Sequence, residues 1–433
     1  MRFNTLADWL TWQETLHPNE IELGLERVQL VLSRMALCKP SYTVVSVAGT
    51  NGKGSSVAML NAIYSAAGYR VGAYTSPHLI RYNERIRIQG KEVADDVLCA
   101  AFERVDECRG TVSLTYFEFS TLAAIHIFAQ ANVEIAIMEV GLGGRLDAVN
   151  VLDADVALIT SISIDHEQWL GDNRGSIAIE KAGIARSGHA TVCSDIDPPK
   201  SLITTLAEKQ STLYLIHRDY HFELVSEQGS QPNIWHWWSQ SRRRNTLNRP
   251  AMRGAYQLQN AAGVLMVLEL LQPGFPVTQA DIREGLSNAV LPGRFQTMHI
   301  SVRPQGALVE QQILHIIDVA HNPSSAKVLA ETAGHIACEG RTHAVFAILQ
   351  DKDIAGVVLA TQSIIDEWYV ADLSVIRGAK SSDIAKILKS KGVRSPVHCY
   401  ASIKQALAAA HRAVSEKDRV IIFGSFHTVS EIL

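Results

Sequence analysis

The stretch Val44–Leu60, VVSVAGTNGKGSSVAML, constrains this chain more than any other. It begins as an apolar, β-branched run of the kind that forms a strand buried on both faces, and three glycines and a lysine then interrupt it. Leu60, Ile63, Tyr64 and Ala67 follow at i, i+3, i+4 and i+7, the apolar stripe of a helix, with Gly68 as its stop. A strand entering a helix through a glycine loop opens a βα unit. The same alternation of short apolar runs with helical patterns recurs around RVGAYTS, VEIAIMEV, DVALITSI and HATVCS. Together these runs predict a mostly parallel sheet with right-handed crossovers.

At 433 residues the chain exceeds the size at which one core stops growing, so two domains are expected. Pro292 and Gly293 in SNAVLPGRF mark the boundary, and strands resume beyond it in ILHIIDVA, HAVFAIL, EWYVADL and RVIIFGS. The expected architecture is α/β throughout: a P-loop domain on a mostly parallel sheet over 1–290, and a smaller Rossmann-like α/β domain over 291–433. Residues 196–249 are rich in Gln, Ser, Arg and Trp and read as short antiparallel strands packing against the main sheet.

A net charge of -4 gives no electrostatic case for nucleic acid or an anionic membrane, and the one compact basic run, Arg242–Arg244, reads as a solvated loop. Six scattered cysteines without a C-x-x-C pair indicate neither a zinc site nor a disulfide framework. Asp8 and Glu14 interrupt the first apolar stretch, and no segment approaches about 18 uncharged apolar residues. A cytoplasmic protein without nucleic-acid or membrane partners is therefore expected, and a monomer.

The glycine loop predicts a nucleotide-phosphate site: backbone N–H groups turned around an anion, a helix N-terminus behind them, and Lys53 within reach of the outer phosphates. Gly54 stands between Lys53 and Ser55, so the usual G-x-x-x-x-G-K-[ST] spacing is broken, and other groups must share the work of holding a metal. Glu139 closes one apolar strand ahead of a glycine-rich loop, and Asp165 and His166 follow another, which are positions from which side chains reach magnesium. Ser76 offers a hydroxyl either to a metal or to the next turn. Lys181, on a helix, is either a surface lysine or a charge facing the phosphates.

The ordered motifs GTNGKGS, TSPHL, LTYFEF, EVGLGGRLDAVN, SIDH, EKAGI, LPGRFQ, DVAHNP, DKD and GSFHT resemble the folylpolyglutamate synthase/dihydrofolate synthase family, near its bifunctional bacterial members. The resemblance spans nearly the whole chain and is weakest over 196–249. It implies an ATP-dependent amide ligase related to the Mur ligases. ATP phosphorylates a carboxylate, of 7,8-dihydropteroate or of a reduced folate at its γ position, and L-glutamate attacks the acyl phosphate. Position by position, it implies that Thr50, Asn51, Gly52, Lys53, Gly54 and Ser55 bind ATP, joined by Asn260, Arg294 and Asp318, with His321 beside them. Ser76, Glu139 and His166 match magnesium ligands, with two Mg²⁺ sites expected. Lys181 matches a lysine carbamylated in this family, an anion where the residues alone suggest a cation. Lys53, Glu139, His166, Lys181 and His321 are the catalytic candidates. The dihydropteroate contacts fall on Leu23, Thr115, Phe117, Asp147 and Ala148; Phe117 otherwise reads as core packing on a strand. A Mur ligase proper should carry a further N-terminal domain, whereas about 45 residues precede the loop here, and a GTPase switch should carry N-K-x-D, which does not occur.

Overall fold

The computed structural model describes residues 2–225, 234–306 and 308–433 and divides the chain into two units. The first comprises Met1–Ala251 and Gln257–Val290, the second Met252–Tyr256 and Leu291–Leu433.

In the first unit the predicted apolar runs form β1 (Thr43–Ala48), β2 (Val71–Tyr74), β5 (Ile135–Glu139), β6 (Val156–Ile159) and β7 (Ala190–Cys193), with β3 (Ile86–Ile88) and β4 (Lys91–Glu92) between β2 and β5. With β8 (Thr212–Leu215) they make one sheet, ordered β4-β3-β2-β5-β1-β6-β7-β8. All pairings are parallel except those of β3 and β4, which close the edge as an antiparallel hairpin. From Val44 onward β1 is buried, as are β5 and β6 throughout, which explains why these strands read as mostly apolar runs. Trp9 of the first helix packs against Phe102 and Phe119 in the core over one face.

The region 196–249 departs from expectation. It holds a helix, Lys200–Glu208, then β8 in parallel with β7, and only afterwards the antiparallel strands β9 (Tyr220–Leu224), β10 (Ile234–Ser239) and β11 (Arg243–Asn248). Those three form a sheet of their own, and the indole of Trp237 donates to Ala262 O (3.1 Å) on the helix Ala255–Leu271 rather than packing on the main sheet. Between Ala261 and Leu268 that helix is apolar all round because it is enclosed all round. Part of the predicted segment, 226–233, lies outside the described residues. LTYFEF also differs: Phe117 sits at the start of the helix Tyr116–Gln130, not on a strand, because Thr115 and Glu118 form a capping box that sequence periodicity does not report.

The second unit is a six-stranded sheet, β12-β13-β17-β14-β15-β16, built from β12 (Gln296–Val302), β13 (Gln311–Asp318), β14 (Thr342–Phe346), β15 (Glu367–Ala371), β16 (Val397–Tyr400) and β17 (Arg419–Phe423). β12 is antiparallel to β13 and the rest are parallel, around a core that includes Phe346, Trp368 and Phe423.

In the first unit the helix Gln279–Asn288 lies on the helix Lys53–Ala66, and a Cβ on Gly285 would stand 2.5 Å from the Ile63 Cα. Because backbone cannot yield as a side-chain tip does, Gly285→Ala should destabilise the protein by about 1–3 kcal/mol. Gly274→Ala, with nothing within 4 Å of the new methyl, should stay within about 0.5 kcal/mol of wild type. Urea unfolding of the two variants checks the contrast.

Candidate active site

β1 lies between β5 and β6, and the chain leaves it first towards one side of the sheet and later reaches the other. At such a switch point the carboxyl ends of neighbouring strands diverge and open a crevice. The loop after β1 sits there. Gly49 (φ +155°) and Gly52 (φ +91°) adopt left-handed conformations, and their absent side chains matter: a Cβ would fall 1.7 Å from Thr160 Oγ1 at Gly49 and 2.5 Å from Asn260 Oδ1 at Gly52. Gly52 then starts the helix Lys53–Ala66, whose unsatisfied N–H groups face the loop.

The loop is tied to the end of β6. Thr50 N donates to Ser161 O (2.7 Å), Thr50 Oγ1 donates to Ser163 O (2.9 Å) and accepts from Ser163 N (3.0 Å), and Asn51 O accepts from Thr160 Oγ1 (2.7 Å). Thr50 therefore frames the loop with its side chain. Lys53 Nζ folds over the loop, donating to Gly49 O (3.1 Å) and Thr50 O (3.2 Å). From the other side, Gln257 Nε2 donates to Ser55 Oγ (3.2 Å) and its Oε1 accepts from Asn260 Nδ2 (3.1 Å). Gln257 was not singled out from the sequence; its only signal is the i, i+3 spacing that puts it on the face of Asn260.

Glu139, the last residue of β5, pairs in register with Val47 of β1 and is 4% exposed. Its Oε2 accepts from Ser76 N (3.3 Å), so the two predicted ligands meet. His166 lies in the segment after β6 with φ +54°, its N–H held by Asp165 Oδ1 (2.8 Å). Lys181 is 3% exposed, which removes the surface-lysine reading. Burial, reinforced by the charge of Lys53, lowers its amine to about 7, while Asp165 and Asp147 oppose the shift. Asp147 is as deeply buried, and burial raises its carboxyl to about 7 although Leu142 N (2.8 Å) and Val149 N (3.0 Å) donate to it. Lys53, Lys181, Asp147 and Asp165 thus share one patch of coupled charges, in which Lys181 and Asp147 are buried and Lys53 and Asp165 are partly exposed. Among the described residues no three His, Cys, Asp or Glu side chains converge into a ready metal cage.

The predicted pterin residues gather beside this patch. Thr115 Oγ1 accepts from Glu118 N (3.2 Å) and Glu118 in turn pairs with Arg27 (3.0 Å), which holds the helix start that carries Phe117. The Phe117 ring covers Gly141, where a Cβ would be only 2.7 Å from it, and lies 5.9 Å from the Tyr74 ring. Gly24 N donates to Leu146 O (3.2 Å), which brings Leu23 next to the loop carrying Asp147 and Ala148. Ala148 is buried, so its side chain contributes packing.

In the second unit, Asp318 ends β13 and accepts from Phe295 N and Ala320 N, both at 2.7 Å. Burial raises its pKa, and neighbouring Arg294 opposes the shift. Arg294 lies over the Phe426 ring (5.1 Å), and the His321 ring is 6.3 Å from the same phenyl. Arg294, Asp318 and His321 therefore form one group at the carboxyl edge of that sheet.

Two family models match the chain: the Mur ligase middle domain over residues 47–268 and the Mur ligase glutamate ligase domain over 293–426. The dihydrofolate synthase/folylpolyglutamate synthase of Escherichia coli K12 is 40% identical, covering 99% of this chain and 94% of its own, and that of Haemophilus influenzae is 39% identical over 98% and 96%. Among solved structures, E. coli FolC in complex with DHPP and ADP aligns with a TM-score of 0.89 at 39% identity, covering 99% of this chain and 97% of that one. A bifunctional folylpolyglutamate synthase/dihydrofolate synthase with Mn, AMPPNP and L-glutamate bound aligns with a TM-score of 0.88 at 42% identity, with the same coverage. The strand–glycine loop–helix unit, the buried Glu139 and Lys181 at the same sheet edge, and similarity along the whole chain lead to one conclusion: this protein belongs to the dihydrofolate synthase/folylpolyglutamate synthase family of Mur-type ligases.

Proposed function

We propose that the protein is a cytoplasmic ATP-dependent ligase that joins L-glutamate to 7,8-dihydropteroate and to the γ-carboxylate of reduced folates. The observation that carries this reading is the convergence of the glycine loop, Glu139 and Lys181 at the carboxyl edge of one parallel sheet. No helix among the described residues is long and apolar enough to cross a membrane.

A carboxylate is a poor electrophile at neutral pH. Transfer of the γ-phosphoryl group of ATP turns one of its oxygens into a leaving group. The glutamate amine then attacks the acyl carbon, and the tetrahedral adduct collapses to an amide and phosphate. Protein groups contribute chiefly position and charge to such a sequence. The cradle fits a polyphosphate, since Gly49 and Gly52 let the loop backbone turn at positive φ while packed against Thr160 and Asn260, and the helix start supplies N–H donors. Ser76 and Glu139 offer oxygen and His166 an imidazole; the oxygen pair suits magnesium, which completes its shell with water and phosphate oxygens. Magnesium, when bound, neutralises charge on the phosphates. Asn260 holds the loop from above Gly52, and Lys53 is placed to meet the outer phosphates. In the second unit, Arg294, Asp318 and His321 are the candidates for nucleotide contacts. Leu23, Thr115, Phe117, Asp147 and Ala148 form the pterin site.

Lys181 supports a carbamate on chemical grounds. Only a neutral amine adds to CO₂, releasing a proton, and an amine whose pKa is lowered to about 7 is substantially neutral at physiological pH. The product is an anion beside Lys53, which converts a buried like-charge contact into an attractive one.

Release of phosphate from ATP with L-glutamate, measured separately with dihydropteroate and with tetrahydrofolate, should be seen with both acceptors. Activity with neither would sink the reading. Lys181→Ala should lower both activities by at least about 100-fold, the scale of losing one preorganised electrostatic group, and a short carboxylate should restore part of the loss. Unimpaired activity would exclude an essential carbamate. Gly52→Ala should abolish nucleotide binding in a calorimetric ADP titration while the fold persists by circular dichroism, because its methyl and Asn260 require the same space.

A further inference from the structure

Arg85 ends a short turn, Tyr82–Arg85, between β2 and β3, and is 8% exposed. Each of the other buried arginines has a carboxylate within 4 Å or a set of acceptors: Arg109 pairs with Asp106 at 2.7 Å, Arg244 lies 3.9 Å from Glu269, and Arg419 has three acceptors, Thr342 Oγ1, Ala333 O and Ile336 O. Arg85 differs. Among the described residues no carboxylate lies within 4 Å of its guanidinium, and its one acceptor is His78 Nδ1, 2.8 Å from Nε. Arginine only donates, so that ring nitrogen must carry the lone pair and His78 accepts as a neutral imidazole. The rings of Tyr82 and Tyr116 flank the guanidinium, each 5.4 Å from Cζ. The four N–H groups on its two Nη atoms find no acceptor among the described residues, and those atoms are not sealed from solvent, so an anionic group of a ligand could reach them.

Its place relates it to the site. Arg85 O accepts from Thr75 N (2.9 Å), and the next residue, Ser76, donates its N–H to Glu139. On the other side Tyr116 precedes Phe117, whose ring contacts Tyr74, and both Arg85 and Asp147 lie within electrostatic reach of the Tyr74 hydroxyl. The guanidinium therefore stands between the aromatic wall of the pterin site and the edge where a carboxylate would be activated. Dihydropteroate brings one carboxylate, the one that reacts. A folate brings two on its glutamyl residue, and the α-carboxylate, which must not react, enters the same region and needs a partner. A guanidinium is suited to that role because it presents paired N–H donors matching both carboxylate oxygens.

We propose that Arg85 anchors the α-carboxylate of the folate glutamyl residue and so leaves the γ-carboxylate at the reactive edge, making it the residue that adapts one pocket to both acceptors. This rests on the ligase reading above. The test compares wild type, Arg85→Gln and Arg85→Lys with dihydropteroate and with tetrahydrofolate as acceptors. Arg85→Gln should shift the ratio of the two kcat/KM values by about 10- to 100-fold against tetrahydrofolate, mostly through KM, with Arg85→Lys restoring part of it. In parallel, wild type is assayed with a tetrahydropteroyl acceptor carrying γ-aminobutyrate in place of glutamate, which lacks only the α-carboxylate. Wild type should disfavour this acceptor by a similar factor, and Arg85→Gln should no longer distinguish it from tetrahydrofolate. An unchanged ratio, or equal losses with both natural acceptors, would overturn the proposal by assigning Arg85 to packing or to the reacting carboxylate. Should the Gln variant fail to fold, the wild-type comparison still decides: equal use of the two glutamyl-type acceptors overturns the proposal. Wild type inactive with both natural acceptors would instead overturn the ligase reading itself.

Discussion

The first unit depends on how a strained glycine loop is held. Left-handed backbone at Gly49 and Gly52 has no preference of its own in an unfolded chain, so the conformation persists only because neighbouring groups determine it. Two sets of hydrogen bonds do so: Thr50 and Asn51 to the segment after β6, and Ser55 to Gln257 and through it to Asn260. A phosphate cradle made of backbone N–H groups works only if those groups already point inward before the anion arrives, since ordering them afterwards would oppose binding. The strand order that brings β6 beside β1, and the enclosed helix Ala255–Leu271, are what make this possible.

Around that loop, charge is buried where a merely stable protein would avoid it. Lys181 faces the like charge of Lys53, Asp147 is buried to the point of a neutral-range pKa, and among the described residues Arg85 has no carboxylate within 4 Å. Each buried ion left without a close partner costs on the order of several kcal/mol. The first unit tolerates this because its remaining core is apolar and closely packed, and because a chain that binds anionic substrates has partners for these groups outside itself. Perturbed groups collect where chemistry occurs for the same reason. The second unit carries a smaller version of this arrangement, with Asp318 buried beside Arg294 at the carboxyl end of β13.

The sequence by itself determined the βα alternation, the strands of both sheets that are buried on two faces, and the phosphate loop, because each is encoded in local periodicity and in residue types with few alternatives. Ten ordered motifs were enough to indicate the family. Only the tertiary structure decided the rest. Phe117 is helical because of a capping box at Thr115 and Glu118, and the tryptophan-rich strands form their own sheet because Trp237 finds a carbonyl on a distant helix. Lys181 on a helix could have faced water; whether it does depends on which side of that helix meets the Gly141–Asp147 loop, where Gly144 lies too close to the Lys181 backbone for any side chain. Gln257 and Arg85 left no mark in the pattern, since an amide that positions a hydroxyl and a cation without an anion are defined by what surrounds them. Burial and partnership are properties of contacts between residues far apart in the chain, and no local rule reports them.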